Sequence, residues 1–130
     1  MEWKEKLPSG CPPSDCVVPD NITCYRLING PKPKEEDFYP HMKLKPKQPY
    51  KGKECEANAV SLWSKRASIN SPAKLPTLKH MTHFVELALN RQSGVVQYGR
   101  RNKDHISWWV EKNCDPLSLC GDVRKRENHE

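Results

Sequence analysis

The chain has 130 residues, of which 35% are hydrophobic and 29% charged, and a formal net charge of +6. That length suits one domain. No apolar run approaches the roughly eighteen residues of a membrane-crossing helix, and the opening MEWKEKLPSG lacks the apolar stretch of an export signal, so no membrane association is expected and the cytoplasm is the expected location.

Four tryptophans, four tyrosines and two phenylalanines make a modest core affordable, since each aromatic buries a large area. Residues 1–20 are expected to be an irregular N-terminal arm, because Pro8, Pro12, Pro13 and Pro19 prevent a continuous helix. Residues 21–120 are expected to form a single globular domain. Its first strand is Ile22 to Ile28, rich in β-branched and aromatic residues and closed by Asn29-Gly30-Pro31. Glu35 to Tyr39 suits one helical turn that Pro40 stops. An exposed basic loop with two prolines comes next, residues 43 to 53.

A strand is expected over Asn58 to Trp63, and Ser71-Pro72 reads as a helix start. His83 to Leu89 fits both periods. The loop Asn90 to Gly94 and the β-rich Val95 to Tyr98 favour a strand there, the two runs pairing as a hairpin. His105 to Val110 is a further strand, which places Trp108 and Trp109 on opposite faces. Asp115 to Gly121 reads as a short capped helix, and 121–130 as a charged mobile tail. The fold expected is α+β: a small antiparallel sheet with one or two short helices and long Pro-rich loops. Trp63, Trp108 and one of Val85 or Leu87 are expected to share one core.

Six cysteines allow three readings: free thiols, a disulfide frame, or zinc held by Cys11, Cys16, Cys114 and Cys120. The zinc spacings are looser than a knuckle, and Pro12 and Pro13 remove backbone N–H groups that a knuckle aims at sulfur. Reduced thiols are expected, with no metal and no cofactor.

The basic residues cluster. Lys43, Lys45, Lys47, Lys51 and Lys53 surround Tyr50, Arg100 and Arg101 precede Lys103, and Arg124 to Arg126 end the chain's basic runs. Such clusters suit an acidic partner, either a protein or a nucleic acid, with Tyr50 and Trp63 available to stack on bases. The leading expectation is a small binding or adaptor domain.

The alternative is a small enzyme. Arg26 lies in CYRLI, Ser61 in AVSLW, and Glu111 just after HISWWV. This order of arginine, serine and glutamate on successive strands resembles ADP-ribosyltransferases. The resemblance implies that the arginine supports a dinucleotide, the serine shapes the pocket and the glutamate holds the ribose. The chain departs from that pattern two places before Glu111, where Trp109 stands. His105, beside Asp104, is a candidate general base positioned by a carboxylate. The observation that separates the two readings is whether Arg26, His105 and Glu111 converge.

Overall fold

The computed structural model describes residues 1–69 and 80–126 of the chain. Six strands form one antiparallel sheet: β1 Ile22–Ile28, β2 Val60–Trp63, β3 His83–Leu89, β4 Gly94–Tyr98, β5 His105–Val110 and β6 Cys120–Lys125, in the spatial order β4-β5-β2-β1-β3-β6. Two single-turn helices, α1 His41–Leu44 and α2 Glu54–Ala57, and 3₁₀ turns at Glu35–Phe38, Arg66–Ile69 and Pro116–Leu119 decorate it. The fold is α+β and dominated by its sheet. Ser71-Pro72 lies outside the described residues. Among the described residues no helix is long and apolar enough to cross a membrane.

Alternation along the strands sorts side chains onto two faces. One face carries Cys24 and Ile28 of β1, Val60 and Leu62 of β2, Val85, Leu87 and Leu89 of β3, and Ile106, Trp108 and Val110 of β5, all in one buried cluster with Phe38. The other carries Leu27 packed on Ile69, with Tyr25, Trp63 and Phe84 around them. Trp63 therefore belongs to a second cluster rather than to the core of Trp108, Val85 and Leu87. Its position next to buried Leu62 puts it on the opposite side of the pleat.

The seam between β1 and β2 is thin. Its recorded register is the single pair Tyr25↔Trp63, whereas β1 and β3 pair over all seven residues. The strand order shows that the sheet as a whole is not flat. Residues 90–93 must carry the chain from β3 to β4, which stand on opposite sides of it in the strand order. In a flat sheet that gap would be about 19 Å, more than so short a link comfortably covers. The curvature gathers residues from both halves into the one main cluster.

The expected hairpin of β3 with β4 is thus not formed. Both edges of β3 are taken, by β1 and β6, while β4 pairs with β5. The turn itself is real. Gln92 N donates to Asn90 Oδ1, Asn90 N donates to Ser93 Oγ, and Gly94 has φ of 132°. It serves as an arch between sheet halves.

Residues 1–20 and 120–125 are better held than their polarity suggests. Lys4 N donates to Val110 O and Lys112 N to Glu2 O, while Val17 exchanges two backbone bonds of 2.9 Å with Val96 on the outer edge of β4. Residues 120–125, most of them expected in a mobile tail, form β6 against β3. Its charged side chains point outward, as suits an edge strand.

Candidate functional site

Three neighbouring strands, β5, β2 and β1, bring Arg26, Ser61 and His105 into range of one another. Ser61 and His105 project from the face that carries Trp63. There His105 Nε2 lies 3.1 Å from Ser61 Oγ, and the imidazole packs edge-on against Trp63, with centroids 4.8 Å apart. The register explains the meeting: Ser61 stands opposite Ser107, and Trp63 opposite His105. All four are half-buried.

Burial holds the His105 imidazole below its ordinary pKa, opposed by the nearby Glu56 carboxylate. The ring is therefore neutral at physiological pH and able to accept a proton. Asp104, the carboxylate expected to position it, does something else. It clamps the exit of β2, accepting Ser64 N on its backbone oxygen at 2.8 Å and Ser64 Oγ on its side chain at 3.3 Å, with Lys65 at 3.8 Å. Consecutive strand residues point to opposite faces, so adjacency in sequence does not place a carboxylate on an imidazole.

Glu56 was not a sequence candidate. It comes from α2, whose position is set by two ties. Trp109 Nε1 donates to Cys55 O at 3.0 Å, and Cys55 is bonded to Cys11. No local motif around Glu56 announces this. Only the strand pairing of β2 with β5 brings α2 beside His105.

Arg26 reaches Ser61 from behind. Lying between Cys24 and Ile28, it faces the main core rather than the Trp63 side. Its guanidinium donates through Nε to Asp37 O at 2.9 Å and through Nη1 to Ser61 O at 2.8 Å. At the thin seam between β1 and β2 the side chain thus supplies a bond that a ladder would otherwise make. Burial pushes its pKa down to about 10, partly offset by Asp37, so it stays cationic at neutral pH. His41 at the start of α1 is held below its ordinary pKa by burial, by Arg26 and by Lys45.

Glu111 does not join them. It sits past the far end of β5, about 20 Å along the strand from His105. Its carboxylate accepts Asn113 N at 2.7 and 3.0 Å. It lines a hollow of about 580 Å³ together with Asn90, Ser93 and Cys114. Of the four catalytic candidates, Arg26, Ser61 and His105 meet around β2, and Glu111 stands apart.

In the basic loop, Tyr50 donates its hydroxyl to His41 O and Lys45 O at 3.0 and 2.8 Å. Lys43 pairs with Glu5 at 3.8 Å and lies over the Tyr39 ring. Lys45, Lys47, Lys51 and Lys53 are exposed and in no ion pair among the described residues. Tyr50 acts as the strut of this loop. Arg100 and Arg101 lie in the β4–β5 turn, shortly before His105.

Cys11 and Cys55 form a disulfide, with Cα atoms 5.5 Å apart, so the expectation of six thiols is corrected at these two positions. The fold brings α2 against the N-terminal arm, a juxtaposition that their 44-residue separation conceals. Cys11 is thereby removed from the four-cysteine zinc set. Cys16, Cys24, Cys114 and Cys120 are thiols. Among the described residues no three His, Cys, Asp or Glu side chains gather as metal ligands.

None of the protein families, curated proteins or solved structures with which the chain was compared matches it.

Proposed function

We propose that the chain is a small binding or adaptor domain whose exposed cations serve an acidic protein partner. One observation carries the reading: Lys45, Lys47, Lys51 and Lys53 are exposed, in no ion pair among the described residues, on a loop that the Tyr50 hydroxyl braces through His41 O and Lys45 O. A fixed group of like charges suits an acidic surface. The ADP-ribosyltransferase-like cleft needs Arg26, His105 and Glu111 together. Glu111 stands about 20 Å along the strand from His105, and Arg26 reaches Ser61 from the opposite face of the sheet.

The test is fluorescence anisotropy of a labelled polyglutamate peptide with the intact chain at rising salt. Binding should weaken as salt rises, and replacing Lys45, Lys47 and Lys51 by Ala should lower affinity by about 10-fold, with the fold retained by circular dichroism. No binding at low salt, or a triple variant that binds like the native chain, overturns the proposal.

A second reading, a small enzyme, draws on Ser61 and His105. The imidazole lies 3.1 Å from the hydroxyl and burial keeps it neutral, and serine beside a neutral imidazole is a proton-transfer pair.

A further inference from the structure

The turn from β4 to β5 reads Tyr98-Gly99-Arg100-Arg101-Asn102-Lys103-Asp104. Its aromatic end is unusual. Tyr98 alternates with buried Val96, yet it is 43% exposed, because it stands at the end of an edge strand where the core runs out. Arg100, Arg101 and Lys103 are all exposed immediately beyond it. Arg100 lies 3.9 Å from Asp15, an exposed pair that contributes little neutralisation. Arg101 and Lys103 are in no ion pair among the described residues.

The turn is stiff. Gly99 N donates to His105 O at 2.8 Å, and His105 N to Asn102 O at 3.1 Å. Asp104 N donates to Asn102 Oδ1 at 3.1 Å. A Cβ on Gly99 would overlap the Asn102 carbonyl oxygen, so the tight closure requires glycine there. Asp104, the nearest acid in sequence to these cations, is committed to Ser64 and Lys65 on the neighbouring strand exit. The result is a preorganised basic tip with an exposed ring on one side and half-buried Trp63, packed against His105, on the other.

We propose that this β4–β5 turn binds single-stranded nucleic acid, with Arg101 and Lys103 on phosphates and Tyr98 stacked on a base. Cations interleaved with an aromatic face are what a single strand requires, because every base offers a π-face and every linkage a charge. An acidic protein would need a buried apolar anchor at the centre of its contact. Beyond Tyr98, the tip offers only polar and charged side chains. The binding stands on the turn alone. The reactivity of Ser61 and His105 is not needed for it, and Ser61→Ala should bind as the native chain does.

The experiment is fluorescence anisotropy of the intact protein with labelled DNA and RNA single strands of about 12 nucleotides, from about 50 to 200 mM salt. Affinity should fall linearly on logarithmic axes. Arg101→Ala with Lys103→Ala should flatten the slope by about 1.4, the value for two single-strand phosphate contacts. Tyr98→Leu should weaken binding about 10-fold without changing the slope. Arg91→Ala, an exposed cation at the opposite end of β4, should leave both unchanged. The proposal is overturned by no binding at the lowest salt, by turn variants that bind like the native chain, or by polyglutamate competing as well as the oligonucleotide.

Discussion

Trp108 and Trp109, consecutive on β5, are 0% and 1% exposed on opposite faces of the sheet, and each donates its indole N–H to a backbone carbonyl 3.0 Å away. Trp108 holds Ser93 in the β3–β4 arch, and Trp109 holds Cys55 in α2. One dipeptide thus ties down both the β3–β4 arch and the helix that brings Glu56 towards His105.

Trp108→Ala should destabilise the protein by about 3 to 5 kcal/mol, the usual loss for a buried large aromatic. Trp109→Phe tests the second tie more gently. It keeps most of the buried ring but orphans Cys55 O, at a cost of about 1 to 3 kcal/mol. Urea unfolding of the two variants checks both values. A Trp109→Phe protein as stable as the native chain would show that the bond to Cys55 does not hold α2.

Arg26→Lys should destabilise more than its conserved charge suggests. The planar guanidinium spans Asp37 O and Ser61 O with two nitrogens, and a single ammonium cannot match that geometry. A loss of about 1 to 3 kcal/mol is expected from the carbonyl left without its donor. If Arg26 also fixes Ser61, the His105 ring resonances should shift in the variant. Unchanged stability and unchanged resonances together would remove Arg26 from the site.

Much of the strand inventory was legible in residue pattern. Ile22–Ile28, His83–Leu89 and His105–Val110 were readable because each is long enough for alternation to register and is closed by a turn signal. The Asp115 cap was equally plain, its side chain accepting Leu117 N at 3.1 Å. Pairing was not legible. Asn90 to Gly94 has the same signature as an arch that it would have as a hairpin, because the turn satisfies its own backbone whichever partners the strands take. The site shows the same limit. Arg26, Ser61 and His105 are visible as residue types, but Ser61 meets His105 only through the β2–β5 register. Glu56 and Cys11 enter only through the packing of a four-residue helix. Strand β6 was missed because an edge strand tolerates charge on both faces.

Thiol labelling should count the disulfide directly. Burial pushes the Cys24 thiol up to about 12, and Cys16, Cys114 and Cys120 up to about 11. The native protein should therefore react slowly with iodoacetamide at neutral pH. After unfolding without reductant, the four cysteines other than Cys11 and Cys55 should be alkylated, and reduction should add those two. Closing a loop of this length contributes about 2 to 4 kcal/mol, so reduction should also lower the unfolding midpoint. Six labels without reductant would refute the bridge.

The last prediction concerns pH. Both His105 and His41 have folded pKa values below their ordinary 6.5. The unfolded chain therefore binds more protons than the native one as pH drops through 6.5. Stability rises with pH wherever the unfolded state holds the extra protons. The contribution of these histidines is thus complete above 6.5 and lost progressively as pH falls through their lower folded values. A thermal midpoint that declines on acidification from pH 7 towards pH 5 is the expected outcome. His105→Gln should flatten part of that decline, because glutamine keeps a polar side chain beside Ser61 without titrating, and His41→Gln should flatten another part. The opposite slope would show that Glu56 outweighs burial at His105. A slope unchanged by both replacements would place the acid sensitivity elsewhere. Nuclear magnetic resonance of the two imidazoles assigns the effect, since each ring should titrate below its unfolded value.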